Sequence, residues 1–316
     1  MRKEILFLII LILFISSASC DKFNKELEPS QISWIAEKGY QTENVVQMRA
    51  KGKIPAPEIQ MYINGESHWL ALDVSQPFLI LKETEFNLQN FAPSRIVSKV
   101  KGSNEMLMED GFIKDIRIMG TEYDMVHCSL LKNSTQKIYC RGFIGRNFFQ
   151  DKILTLDFHN GVMAFSEDKK ILPLEKSHKI PIYFEKTEYD NYPLTYFTGM
   201  LDSIEVVMTL NTCHRFSQVT PALAHQINDS GQDDFITIKE VRIGDFKTGP
   251  LKCKVNQNLG YSSPRGEKFL DFSMGLNILR NYLVTFDFAD SCFYLEKYQQ
   301  KKTEPAKTES KQKKDI

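Results

Sequence analysis

Two stretches decide the fold: GRNFFQDKILTLDF at Gly145–Phe158 and GLNILRNYLVTFDF at Gly275–Phe288. They align without a gap at a spacing of 130, keeping Gly, Asn, Thr, Asp and Phe and matching apolar with apolar positions. Self-similarity at this distance marks a duplicated unit and is sought before local structure. Working outward, IKDIRI at Ile113–Ile118 returns as IKEVRI at Ile238–Ile243, and Cys128 and Cys253 share that spacing of 125. WLALDVS at Trp69–Ser75 answers VMTLNTC at Val207–Cys213, at a spacing of 138. Three blocks in one order mean two related lobes, and the drift in spacing fits loops of different length.

Each lobe reads as mainly β. Apolar stretches of strand length recur at Ile59–Ile63, Trp69–Leu72, Phe78–Leu81, Ile153–Phe158 and Val162–Phe165, cut by Gly, Asn, Asp and Pro. Asn160-Gly161 between the last two is a hairpin turn. Helical patterns are short: Gly145–Phe149, its counterpart Gly275–Arg280, and Pro221–Ile227. Many short strands around a closed core point to barrels or sandwiches.

The ends read differently. Met1-Arg2-Lys3, an apolar run from Ile5 to Ile15 and the small residues Ser16 to Ser19 have the layout of a secretory signal peptide over residues 1–19. The run is too short to span a bilayer. Cys20 follows at once, as in the lipobox of bacterial lipoproteins, though Ser17 stands where Leu is commoner. A lipidated Cys20 would be the membrane anchor, with several acyl chains holding where one binds weakly. Residues 20–45 are expected to be that anchor and its tether, 46–172 the first lobe, 173–297 the second, with the polar stretch Glu167–Lys179 at the boundary. Residues 298–316 carry six Lys and three acids with almost nothing apolar, and are expected to be a solvated tail.

Composition narrows the function. The 316 residues carry 40 Lys+Arg against 40 Asp+Glu, with 42% hydrophobic and 25% charged residues. Zero net charge argues against a nucleic-acid partner, which favours a basic surplus. No CxxC or HExxH is present and the six His are scattered, so neither a metal nor a cofactor is expected. Export permits disulfides. Cys128 with Cys140 is a candidate pair in the first lobe, and Cys253 with Cys292 or Cys213 in the second; five cysteines leave one unpaired.

The order of blocks resembles the aspartic peptidases of the pepsin and retropepsin type. Leu72-Asp73-Val74-Ser75 sits where the first catalytic Asp loop belongs, and Leu210-Asn211-Thr212-Cys213 where the second belongs. Gly142-Phe143-Ile144-Gly145-Arg146-Asn147 is similar to the retroviral Ile-Ile-Gly-Arg-Asn segment, and Phe272-Ser273-Met274-Gly275 is its counterpart. The resemblance covers about Met48 to Lys297 and implies two pepsin-like β-barrel lobes with a cleft between them.

It also implies chemistry that these residues lack. Two facing carboxylates share one proton; the ionised one activates water and the protonated one polarises the scissile carbonyl. Here Asp73 faces a lobe that offers Asn211, whose amide does not titrate in the useful range. Ser75 and Cys213 replace the glycines that usually follow. Asn211 is expected to pair structurally with Asp73. Cys213 beside His214 would point to opposite strand faces and form no thiol dyad. The hairpin at Lys99–Ile113, where active members carry a Tyr over the cleft, has none. The expected function is a membrane-anchored lipoprotein that binds a peptide or protein in the cleft without cutting it. Two alternatives stand beside it: an active endopeptidase using Asp73 with a recruited acid such as Asp271, and a surface scaffold or adhesin whose cleft is idle.

Overall fold

In a computed structural model, the structure describes residues 32–49, 56–86, 88–100, 106–132, 140–172, 176–185, 194–228, 234–257, 259 and 270–298. The expected signal segment 1–19, Cys20 and residues 299–316 of the expected tail lie outside them. The first half contains β1 (Val45–Gln47), β2 (Glu58–Ile63), β3 (Glu66–Leu72), β4 (Leu79–Lys82), β5 (Phe91–Val100), β6 (Met106–Ile118), β7 (Thr121–Lys132), β8 (Gly142–Ile144), β9 (Ile153–Asp157) and β10 (Val162–Ser166). The second contains β11 (Ser177–Pro181), β12 (Tyr183–Glu185), β13 (Leu194–Leu201), β14 (Ile204–Leu210), β15 (Gln218–Val219), β16 (Phe235–Ile238), β17 (Val241–Ile243), β18 (Phe246–Thr248), β19 (Leu251–Val255), β20 (Leu270–Met274), β21 (Tyr282–Asp287) and β22 (Cys292–Lys297). Helices are short: α1 (Ser33–Glu37), α2 (Pro221–Ile227) and α3 (Leu276–Leu279). Thr220 caps α2 by accepting from the Leu223 N–H, and Pro221 opens it without needing an N–H partner.

The protein is mainly β and built as two barrel-like lobes. In the first, β2-β3-β8-β4-β7-β6-β5 form one sheet, and pairing of β2 with β6 closes it into a barrel. In the second, β14 pairs with β20 in parallel as β3 does with β8, and β15 lies between β19 and β20 as β4 does between β7 and β8. The single long β6 is answered there by two strands, β16 and β17, because Asp202 draws the Lys239 and Glu240 N–H groups onto its side chain at 2.9 and 2.8 Å. The second sheet therefore curls without closing.

A third sheet, β1-β10-β9-β21-β22-β11, takes strands from both halves. Strands β9 and β21 are buried along their whole length, as continuous apolar runs predict for strands covered on both faces. They pair antiparallel with Thr155 opposite Thr285, residues 130 apart, and their hydroxyls lie 2.7 Å from each other. Antiparallel pairing of equivalent residues is what a two-fold axis between repeats requires. The local axis runs between these two threonines.

Three boundaries differ from the sequence reading. The expected tether does not extend to residue 45: Trp34 and Ile35 of α1, with Tyr40, bury themselves against the shared sheet. The Trp34 indole donates to Asp157 at 3.0 Å, and the Tyr40 hydroxyl lies 2.6 Å from that of Thr155. Aromatic rings with a partner for their polar atom are worth burying even in a short segment. At the other end, Tyr298, the first residue of the expected tail, packs on the same cluster and its hydroxyl reaches Asp157 at 3.4 Å. The Ser177–Pro181 segment, partly inside the expected linker, is strand β11 of the shared sheet.

Candidate functional site

The site lies where the two Asp-type loops meet. Each loop follows the strand whose end is held by a parallel neighbour, so both descend from the same construction. The Asp73 N–H donates to the Ile144 carbonyl at 3.0 Å, and the Asn211 N–H donates to Met274 at 2.8 Å. Arg146 N–H meets Gln76 O at 2.8 Å, and Leu276 N–H meets His214 O at 2.9 Å. Each loop also seats on a glycine. A Cβ on Gly145 would fall 2.4 Å from the Phe78 carbonyl oxygen, and one on Gly275 2.6 Å from the Phe216 carbonyl carbon. Only glycine permits that approach.

Within this common frame the side chains differ. Asp73 is 5% exposed, and its Oδ1 accepts from the Ser75 N–H at 3.0 Å and the Ser75 hydroxyl at 2.6 Å. Burial raises its pKa above the usual carboxylate value, opposed by the two Ser75 bonds and by the Arg146 charge. Asn211 Oδ1 accepts from the Cys213 N–H at 2.8 Å. Among the described residues no hydrogen bond joins Asp73 to Asn211; Asp73 Oδ1 and Asn211 Oδ1 each accept within their own turn. Neither Ser75 nor Cys213 adopts a left-handed backbone, so the missing glycines leave the turns unstrained.

One contact crosses between the loops. The Thr212 hydroxyl donates to the Leu72 carbonyl at 2.6 Å, and the Cys213 thiol points at the same oxygen from 3.6 Å. The residue equivalent to Thr212 in the first lobe is Val74, which has no hydroxyl to return the bond. The two loops are joined by half of a symmetric pair.

Arg146 is the residue that sequence reading passed over. It is 5% exposed and donates through Nη1 to the Ser75 carbonyl at 2.9 Å. Phe184 of the second half lies over its guanidinium, 4.9 Å from the ring centre. Burial lowers the Arg146 pKa to about 10, and the Asp73 charge works the other way. Among the described residues, the charged group that acts on Asp73 is this cation, and no carboxylate does. A buried guanidinium next to a strand-end Asp is the signal that the Gly-Arg-Asn segment carried. Asp271, the candidate recruited acid, accepts from the Val207 N–H at 3.3 Å, at the middle of the strand that leads to Asn211.

The disulfides expected at Cys128–Cys140 and at Cys253 with Cys292 or Cys213 are absent: all five cysteines are free thiols. Cys128 and Cys253 are fully buried in the cores of their own lobes, as repeat-equivalent packing residues. Cys292 lies in the shared sheet opposite Asp287. Cys140 lies on the side of the loops, where the Asp73 charge reaches it, and burial pushes its thiol up to about 12. Burial and the Asp73 charge also push Cys213 well above its ordinary value, so it is no thiolate nucleophile.

Strands β5 and β6 pair antiparallel where the hairpin is expected, and residues 101–105 lie outside the described residues. Among the described residues, no group of three or more His, Cys, Asp or Glu is arranged to hold a metal ion, and no helix is long and apolar enough to cross a membrane. Comparison of the chain with protein-family models and with curated proteins finds no match.

Proposed function

We propose that this chain is an exported lipoprotein, anchored through Cys20, that binds a peptide or protein between two aspartic-peptidase-like lobes without cleaving it. The observation that carries the reading is the solitary carboxylate. Asp73 is held by Ser75 and faces the field of Arg146, and the matching position of the other lobe offers the Asn211 amide bonded to its own loop. Peptide hydrolysis by paired acids needs one group to take a proton from water and another to supply one to the carbonyl. A single carboxylate beside a cation fills the first role poorly and leaves the second empty. The frame around the two loops is nevertheless kept, down to both glycines, which supports a retained binding surface rather than general decay. Phe184 against Arg146 and Thr212 against Leu72 hold the lobes in register around that surface.

The test is cleavage of a mixed denatured-protein substrate from pH 3 to 7 by the soluble form starting after Cys20, alongside Asp73→Ala and Asn211→Asp. The expected result is no cleavage by the parent and measurable cleavage by Asn211→Asp, which restores the missing carboxylate. Cleavage by the parent that Asp73→Ala abolishes would overturn the reading in favour of an active peptidase.

A further inference from the structure

Immediately after the Asn211 loop, the second lobe gathers four cations around one asparagine. The Asn277 N–H donates to the Arg215 carbonyl at 3.0 Å, and its Nδ2 donates to the Lys252 carbonyl at 2.9 Å. Asn277 Oδ1 accepts from the Ser217 N–H at 2.7 Å, and the Ser217 carbonyl accepts from Lys254 N–H at 2.9 Å. Arg280 closes α3 one turn away, its N–H bonded to Leu276. The backbone thus fixes Arg215, Lys252, Lys254 and Arg280 on one patch.

Two aromatic rings floor this patch. Phe216 and Phe235 meet edge to face at 5.3 Å; Arg215 lies over the first ring at 5.3 Å and Lys252 over the second at 4.6 Å. Among the described residues none of the four cations has a carboxylate at ion-pair distance, whereas Lys38, Arg49, Lys132, Lys152 and Lys169 all do. Burial, and after it the Arg215 charge, lower the pKa of Arg280, so these two guanidiniums act on each other. Among the described residues, the acid next to the patch in sequence, Asp234, is exposed and its backbone carbonyl accepts from the Val255 N–H.

We propose that this patch receives acidic side chains of an extended peptide that lies over the Asn211 loop. The proposal rests on the cleft-binding reading. Arg215 is two residues beyond Cys213, so an extended peptide over the loop reaches it within about 3–4 residues at ~3.3 Å each. Two guanidiniums suit carboxylates because their planar forks bind both oxygens. The basic face therefore selects the sign of charge at one end of the ligand.

The experiment uses the soluble form starting after Cys20 and three fluorescein-labelled pools of random twelve-residue peptides, enriched in Asp/Glu, in neutral residues or in Lys/Arg. The acidic pool is expected to bind at least tenfold more tightly than the neutral pool at low salt, with the ratio shrinking as salt screens the charges. Arg215→Glu with Arg280→Glu should abolish that preference, and Lys252→Glu alone should halve it or more. Lys247→Glu, on an exposed strand outside the patch, should leave it intact. Equal binding of the three pools, or a preference that survives charge reversal, overturns the proposal. So does charge-dependent binding to phosphatidylglycerol vesicles with no binding to any peptide pool, which would make the partner a lipid surface. Ser75→Trp separates the two readings: acidic-pool binding that this change spares but charge reversal removes keeps the patch and sinks the cleft. Neutral-pool binding that Ser75→Trp removes, with no charge preference, keeps the cleft and sinks the patch.

Discussion

The loops Asp73-Val74-Ser75 and Asn211-Thr212-Cys213 occupy the same place in two copies of one lobe, yet they perform different tasks. The first is a carboxylate site: buried, bonded twice by Ser75 and flanked by the Arg146 cation. The second is a fastening: its amide oxygen accepts from its own turn, and Thr212 reaches across to hold Leu72. The backbone bonds beneath them are the same in both. A duplicated frame thus keeps its geometry through packing and backbone pairing, while the side chains at its tips drift apart in role. The two loops differ at Asp73 against Asn211 and at Val74 against Thr212, while the backbone bonds beneath them agree.

The largest effect should come from the shared part. Gly145→Ala and Gly275→Ala each push a Cβ into backbone atoms at 2.4 and 2.6 Å, with no flexible side chain to yield. Each is expected to cost about 3 kcal/mol or more, as overpacking against backbone does. Urea denaturation of the two variants should give matching losses. A large loss in one lobe and none in the other would show that the common frame is not common in energy.

The next effect concerns the unshared part. Thr212→Val removes the bond to the Leu72 carbonyl and leaves that oxygen with only the distant Cys213 thiol, at an expected cost of about 1–2 kcal/mol. Val74→Thr offers the reciprocal hydroxyl and is expected to leave the midpoint of unfolding at or above that of the parent. A Thr212→Val protein as stable as the parent would remove the fastening role from the second loop.

The smallest effect is one of pH. Burial raises the folded-state pKa of Asp73 above its ordinary value near 3.8, so the folded protein binds that proton more tightly than the unfolded chain. The resulting stability is complete below the ordinary value and falls as pH rises through the raised one. The melting temperature of the parent, measured against Asp73→Asn, should therefore decline as pH rises above the ordinary value of 3.8. A difference that grows in the parent's favour over that range would mean that Arg146 and Ser75 outweigh burial and hold Asp73 ionised.

Much of this comparison was legible in the chain. The strands at Ile59–Ile63, Ile153–Phe158 and Val162–Phe165 and the short helices after Gly145 and Gly275 announce themselves through local patterns of apolar residues and breakers, and the structure places elements at each. The cysteines were not legible. Spacing of 12 residues brings Cys128 and Cys140 within reach of a bridge on paper, but the strand that carries Cys128 turns it into the core while Cys140 sits toward the loops. Nor was α1 legible: a five-residue helix has too short a period to stand out, and it is held by Asp157 and Thr155, more than 100 residues away.

By itself, the sequence determined the duplication, the β class and the identity of the two loop residues, Asp73 and Asn211, because these are written in composition and periodicity along the chain. Only the tertiary structure decided that Thr155 meets Thr285, that Thr212 rather than Val74 joins the loops, that Arg146 is the charge beside Asp73, and that Arg215 and Arg280 stand together without a carboxylate. The reason is physical. A local pattern states which face a side chain occupies, whereas its partner is set by how barrels close and lobes pair, and those pairings join residues that the chain keeps far apart.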